Sequence, residues 1–369
     1  MGKTNVFFTD MRCGPGNNLQ KKLDRLIQRA GIDQIDFEGK FTAIKMHFGE
    51  PGNLSFLRPN FAKTVADRVK NLGGLPFLTD CNTLYVGRRG NALDHLGAAA
   101  ENGFSVASTG CEVIIADGLK GGDDVEVPFA GGVHFKTARI GRTVMDADVF
   151  LSLTHFKGHE VTGFGGAIKN IGMGCGSRAG KMQMHNDGKP EISEECRACG
   201  RCFHYCAQDA IYYDENKKAH IDHEKCVGCG RCIAVCSFHA ISNATDSAPQ
   251  LVGDKMVEYT KAVLDGRPHF HVSIVNQVSP FCDCHDENDT AFVPDIGMFA
   301  SFDPVALDHA CADAVNAAPT LPNSALAEAQ GTSGDHFHDI FPVTDWKQQM
   351  KHAEKIGLSN GEYELVTVK

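Results

Sequence analysis

The chain has 369 residues, 42% of them hydrophobic and 22% charged, with a formal net charge of −10. This is ordinary globular composition with room for a large core. The acidic balance argues against nucleic acid or an anionic membrane surface as the main partner, and no apolar run approaches the length of a membrane span.

Residues 3–8 read as a first strand. Helical periodicity runs over 17–30 through Leu19, Leu23, Leu26 and Ile27 and stops at Gly31. A strand over 42–48 ends in Lys45, Met46, His47, Phe48, Gly49 and Glu50. Pro59 opens a helix that reaches Leu72, where Gly73 and Gly74 end it. A short apolar strand over 75–79 runs into Asp80, Cys81 and Asn82. A helix over 92–102 is closed by Gly103, and a strand over 112–116 ends at Asp117. Strands separated by helices predict an α/β fold, a largely parallel or mixed sheet flanked by helices. Polar residues recur at the strand ends, at His47, Glu50, Asp80, Asn82 and Asp117, where open α/β sheets bind ligands. Each of them taken singly could equally cap a turn or a helix.

Residues 121–147 suggest a hairpin excursion, and 148–153 a buried strand. Segment 152–181 concentrates Gly, His and Lys: His155, Lys157, His159, Lys169, Arg178 and Lys181 among eight glycines. Such material suits a packed core poorly. It is expected to be a loop that offers backbone N–H groups and cations to an anionic or carboxylate-bearing ligand, or else a connection shaped to meet the next module. Gly174-x-Gly176-x-x-Ala179 matches a dinucleotide fingerprint, but no strand leads into it. Gly180-Lys181 lacks the earlier glycine and the Ser/Thr of a P-loop.

Cysteine spacing then dominates. Cys196-x2-Cys199-x2-Cys202-x3-Cys206 recurs thirty positions later as Cys226-x2-Cys229-x2-Cys232-x3-Cys236, and Gly200-Arg201 and Ala210-Ile211 recur with it. This is the spacing of a two-cluster bacterial-type 2[4Fe–4S] ferredoxin. Three close cysteines wrap one cluster, and the fourth reaches the other. Cys196, Cys199, Cys202 and Cys236 are therefore expected on one [4Fe–4S] cluster, and Cys226, Cys229, Cys232 and Cys206 on the second. Ala207 and Ser237 stand where the bacterial pattern has proline. A disulfide framework would need an oxidising compartment, and a zinc ribbon would use two pairs rather than two quartets. With no secretory signal in view, a reducing cytoplasm is expected, and low-potential clusters would suit an anaerobic host. The expected organisation is an α/β host of 1–189 and 246–369, interrupted by a ferredoxin-like insertion over 190–245.

The α/β pattern resumes with a helix over 255–264, a strand over 270–278 and another over 296–302. Asp303-Pro304 supplies an N-cap and first-turn proline for a helix to Ala317, with a later helix over 346–356 and a strand over 363–368. Just past the 270–278 strand lies Cys282-x-Cys284-His285. Two thiols beside an imidazole could chelate an additional metal ion, with Cys175 as a further ligand, or act as a redox pair, or be plain reduced thiols.

The blocks Lys45 to Glu50, Thr79 to Tyr85, Thr154 to His159, Gly166 to Gly174, Cys282 to His285 and Ser301 to Asp308 together resemble the DUF362 family of uncharacterised Fe–S centre proteins. The resemblance spans nearly the whole chain. It implies two [4Fe–4S] clusters on an α/β host and assigns no substrate and no catalytic residue.

Three functions fit. The first is an oxidoreductase passing electrons from the clusters, supplied by a protein such as a ferredoxin, to an anionic small molecule. Its site would draw on His47, Asp80, His155, Lys157, His159 and Lys169. The second is a non-catalytic electron-transfer protein or subunit of a larger complex. The third is a protein that handles metal or iron–sulfur clusters through Cys175, Cys282 and Cys284.

Overall fold

The computed structural model describes residues 2–369 except 85–86, 187–188, 207, 227–231, 234–235, 237, 239, 244–248, 330 and 332. Eight strands build the main sheet: β1 (Thr4–Asp10), β2 (Phe41–Lys45), β3 (Leu75–Asp80), β4 (Val113–Ile115), β5 (Val149–His155), β6 (His269–Val275), β7 (Gly297–Ser301) and β8 (Tyr363–Thr367). Their order is β8-β1-β7-β6-β5-β2-β3-β4. Every neighbouring pair is parallel except the two that β7 makes, with β1 and with β6. β7 thus runs against the other seven, and the sheet is mixed but mostly parallel.

The alternation that makes a strand is visible in β5. Val149, Leu151 and Leu153 enter one core, and Phe150 enters the other. All seven residues of β5 are buried, as a central parallel strand covered on both faces requires. Helices α1 (Leu19–Arg29) and α2 (Pro59–Asn71) cover the first face. Their apolar stripes, Leu23, Leu26, Ile27 and Phe61, Val65, Val69, recur at helical spacing. Helix α3 (Ala92–Glu101) lies near the β4 edge. The second face carries α4 (Ala167–Cys175), α6 (Pro249–Leu264) and α7 (Pro304–Asn316). Helix α5 (Arg178–Asn186) continues from α4, and α8 (Lys347–Lys355) packs on α6. Asp303 caps α7 through Val305 and Ala306 N–H groups, with Pro304 in the first turn, as the sequence predicts.

Segment 152–181 departs from expectation. It finishes β5, forms the hairpin Lys157–His159/Gly163–Gly165, and continues as α4 and the start of α5, almost wholly buried. The glycines serve close packing rather than an open loop. A Cβ on Gly172 would collide with the Met256 carbonyl of α6, and one on Gly166 with the Asp308 carboxylate of α7. The excursion at 121–147 is a hairpin, Asp124–Pro128 with Thr137–Gly141.

Pro190–Ile192 pairs antiparallel with Ile241–Asn243, so the chain leaves and returns at adjacent points. Between them lie the pair Ile211–Tyr213/Ala219–Ile221 and a small core of Cys202, Ile211, Ala219 and Ile241.

Glu258 of α6 clamps the 121–147 hairpin to the body. Its buried carboxylate accepts the backbone N–H groups of Val133 (2.7 Å), His134 (3.0 Å) and Phe135 (2.9 Å), and lies 3.0 Å from His352 Nε2 of α8. Glu258→Ala strands all four partners. It should lower the free energy of unfolding by about 3–5 kcal/mol in equilibrium urea denaturation. A loss below about 1 kcal/mol would show that these bonds contribute little.

Candidate functional site

The carboxyl ends of β2, β3, β5 and β6 meet at one edge of the sheet, where an open α/β fold gathers its ligand-binding loops. Beneath them sits the Lys45 ammonium, buried at the end of β2. It lies 3.0 Å from Asp80 Oδ1 at the end of β3 and donates to Asn170 Oδ1 of α4 at 2.8 Å. Asn170 in turn donates to Thr154 Oγ1 of β5 at 2.9 Å. Burial works to raise the Asp80 carboxyl, but the cations around it, Lys45 first, outweigh it and hold it below its ordinary value. Burial pushes His95 down to about 3, so its ring is neutral against Asp80.

The loop after β2 turns on Glu50. Its carboxylate accepts Arg88 N–H at 2.5 Å and the Arg89 guanidinium at 2.7 Å, and its own N–H donates to the Asp283 carbonyl at 2.9 Å. His47 Nδ1 accepts Gly49 N–H at 2.9 Å, which leaves the proton of the neutral ring on Nε2. That Nε2 is buried and has no hydrogen-bond partner among the described residues. Burial first, then Arg89, Lys157, Lys45 and Lys169, hold His47 well below its ordinary value.

His155 ends β5 between two acceptors, Asp283 Oδ1 at 2.8 Å from Nδ1 and the Asn276 carbonyl at 2.8 Å from Nε2. Lys157 Nζ sits 3.3 Å from Asp283 Oδ2 and donates to the His155 carbonyl at 2.9 Å. Burial opposes ionisation of Asp283, yet His155 and Lys157 prevail and hold it well below the carboxylate range. The turn 282–285 is thereby fixed, and His285 N–H closes it onto the Cys282 carbonyl at 3.0 Å.

Above this turn, Lys169 Nζ of α4 lies 3.1 Å from Cys282 Sγ. A hydrogen bond from Cys284, then Lys169, Lys157 and His159, draw Cys282 well below the ordinary thiol range despite burial. Cys284 moves the opposite way, first through its bond to Cys282. Cys282 is 2% exposed and Cys284 is half-buried. His159 Nδ1 accepts Val161 and Thr162 N–H at 3.0 and 3.3 Å, and burial, with Lys169 next, lowers it to about 4. Glu160 bonds His285 Nε2 at 3.0 Å; burial acts against its charge, but His159, His285 and Lys169 keep it ionised.

In segment 190–245, Cys196, Cys199, Cys202 and Cys236 line one small cavity, beside Tyr213 and Phe238. Backbone N–H groups point at the sulfurs: Ala198 at Cys196 (3.4 Å), Ala210 at Cys206 (3.3 Å) and Ala240 at Cys236 (3.3 Å). The last two bonds repeat thirty positions apart, as the cysteines do. Cys206, Cys232 and Cys236 pack on the same small core. Cys229, with Gly230, Arg231, Ala207 and Ser237, lies outside the described residues, as does Tyr85.

The predicted site residues are thus partly assembled. His47, His159 and Lys169 join Cys282 and Cys284. Asp80, His155 and Lys157 are spent on internal ion pairs and position the loops. Cys175 is not brought to Cys282, Cys284 and His285; it lies on α4, its thiol pushed up to about 12 by burial, with its carbonyl beside Cys81 Sγ at 3.3 Å. Lys181, expected to face an anion, donates to the Gly176 carbonyl at 2.6 Å. Arg178 is buried, with Gly90 O as a partner. Sequence reading misses Arg89, Asn276 and the acceptor role of Asp283, because their partners lie far along the chain. Among the described residues one His/Cys/Asp/Glu group is close enough to share a metal ion, His134, Glu258 and His352. Glu258 is already engaged there by three amides and an imidazole.

A family model described as "Domain of unknown function (DUF362)" matches residues 42–313. No curated protein matches the chain. Among solved structures, a lactate racemase apoprotein from Thermoanaerobacterium thermosaccharolyticum is similar at 11% identity and a TM-score of 0.39, over 69% of this chain and 49% of that one. A structural-genomics protein from Thermotoga maritima is similar at 11% identity and a TM-score of 0.35, over 70% of this chain and 50% of that one. The chain spans about half the length of either. No helix among the described residues is long and apolar enough to cross a membrane.

This geometry sets two measurable outcomes. Lys169→Met removes the nearest cation from the Cys282–Cys284 pair. Alkylation of the pair by iodoacetamide, mapped by mass spectrometry, should shift to higher pH and slow about tenfold at pH 7. An unchanged pH profile would remove Lys169 from the account. Asp308 accepts Ala167 and Ile168 N–H at 2.6 and 2.8 Å where α4 begins, and burial raises its carboxyl to about 7. An acid raised in the folded state keeps a proton that the unfolded chain has lost, so its contribution to stability declines as pH rises from about 4 to 7, by at most about 1.4 kcal/mol per pH unit. Asp308→Asn should flatten that decline in urea titrations at pH 5 and pH 7; equal slopes in both proteins would contradict it.

Proposed function

The chain belongs to the DUF362 family, and from that premise we propose that it is an iron–sulfur oxidoreductase, passing electrons from two [4Fe–4S] clusters to an anionic small molecule in the crevice at the carboxyl edge of the sheet. Residues 190–245 are read as a ferredoxin-like insertion in a host of 1–189 and 246–369. The observation that carries the reading is the single cavity lined by Cys196, Cys199, Cys202 and Cys236, the four cysteines that the spacing assigns to one cluster. Four thiols facing one space, with backbone N–H groups turned toward sulfur and a glycine (Gly200, φ 76°) in the loop, form a donor set suited to a cubane. Cys206, Cys226, Cys229 and Cys232 would hold the second cluster. Bound clusters would supply electrons one at a time.

The chain's own residues supply the rest. His47 presents an N–H without an acceptor, which a ligand oxygen would satisfy. Lys169 is the cation best placed to meet a ligand's negative charge, since Lys45, Lys157 and Lys181 are held by internal partners. Asp80, His155 and Lys157 position the loops. Exposed Phe203, Tyr213 and Phe238 near the four-cysteine cavity suit docking of an electron-donor protein such as a ferredoxin.

Anaerobic reconstitution should give about eight irons per chain, and Cys202→Ser about half of that. Protein that stays colourless, or a Cys202→Ser variant with unchanged iron, would overturn the cluster assignment. A non-catalytic carrier would reduce an added ferredoxin equally well with Lys169→Met in place and would show no small-molecule turnover in the unaltered protein.

A further inference from the structure

We propose that Cys282 and Cys284 form a redox-active dithiol that reduces low-molecular-weight disulfides, with Cys284 meeting the substrate and Cys282 resolving the mixed disulfide. This deepens the reading above by naming the reacting atoms of the same crevice, and it rests on that reading only for the return of electrons.

The placement of charge separates this role from the alternatives. Lys169 Nζ stands 3.1 Å from Cys282 Sγ, and Lys157 approaches the same turn to pair with Asp283. A metal ion on Cys282 and Cys284 would have to bind against these cations. Nor does any third His, Cys, Asp or Glu among the described residues complete a ligand group with the pair. An inert packed thiol, conversely, would need no lysine on its sulfur. The backbone suits a disulfide. Cys282 and Cys284 are two residues apart in a turn closed by the bond from His285 N–H to the Cys282 carbonyl. Such Cα atoms lie on the order of 5.5 Å apart, inside the window of roughly 4.4–6.8 Å that a disulfide spans.

Cys284 is the more exposed of the two residues, so it is assigned to the substrate, while Cys282 is 2% exposed and has Lys169 on its sulfur. Cys284 Sγ attacks one sulfur of the substrate disulfide while its proton passes to the Cys282 thiolate. An S–S bond forms to Cys284, the substrate S–S bond breaks, and a thiolate leaves. Lys169 then favours loss of that proton from Cys282 to the departing thiolate. Cys282 Sγ attacks Cys284 Sγ, forms the internal disulfide and expels the second thiolate. The substrate gains two electrons and becomes one thiol and one thiolate, and the dithiol is oxidised by two. Two single electrons and one proton restore the pair, from the clusters of the reading above or from an external dithiol.

The test uses the cluster-loaded protein and 5,5′-dithiobis(2-nitrobenzoate), with glutathione disulfide as a second probe, and maps the peptide carrying both cysteines by mass spectrometry. The unaltered pair should release two thiolates and end about 2 Da lighter with no adduct, at least about tenfold faster at pH 7 than exposed Cys13. Cys282→Ser should release one thiolate and retain the adduct on Cys284, and Cys284→Ser should leave Cys282 unlabelled. An adduct retained on the unaltered pair, trapping on Cys282 in Cys284→Ser, or a reaction that begins only after a chelator is added would each overturn the proposal. Iron content is read on the same samples, so loss of the cluster assignment is seen separately from loss of the dithiol.

Discussion

One buried ammonium holds the working edge of this protein together. Lys45 Nζ joins β2 to β3 through Asp80 and to α4 through Asn170, which itself bonds β5. An unpaired charge at that depth costs several kcal/mol, so the four groups are fixed as a set. The consequence reaches the next residue. Asn170 sets how α4 is turned, Asp308 fixes its first turn through Ala167 and Ile168, and Lys169 is thereby aimed at Cys282. The position of one side chain at the reactive pair is determined by three bonds made elsewhere.

Charge among the side chains at this edge of the sheet is nearly balanced. Lys45 faces Asp80, Arg89 faces Glu50, Lys157 faces Asp283, and His285 faces Glu160. Lys169 differs because its counter-charge is a sulfur that can change state. While Cys282 is a thiolate, Lys169 is satisfied. Once that sulfur takes a proton or enters a disulfide, the ammonium is left without its anion in a partly dry site, where it attracts a new one strongly. If the pair is redox-active as proposed, affinity for an anionic ligand would follow its redox state.

Much of this is legible in the sequence. The periods of 3.6 and 2 mark α1, α2, α3, α7 and β5 within a residue or two, because amphipathic helices and buried strands announce themselves locally. The gathering of His47 and Asp80 at strand ends comes from parallel topology alone. Local reading cannot supply partnership at long range. Lys169 to Cys282 spans 113 positions, His155 to Asp283 spans 128, and Arg89 to Glu50 spans 39. Segment 152–181 defeats local reading for a related reason. Glycine exposes backbone to ligands, but it also lets helices and strands approach closely, and only the neighbours decide between the two. At Gly172 and Gly166 the neighbours are Met256 and Asp308, so packing prevails.

The chain path bears on why the cysteine-rich segment sits where it does. Helix α4, which carries Lys169, runs on into α5, and α5 leads toward Pro190–Ile192 and the first cysteines. The return strand Ile241–Asn243 packs against α5, and the chain then enters α6, which lies on α4 at Gly172. The return strand is thus set against α5, which itself touches α4. A module appended at a terminus would have a single attachment and could swing. Two attachments placed side by side leave such a segment less freedom than one.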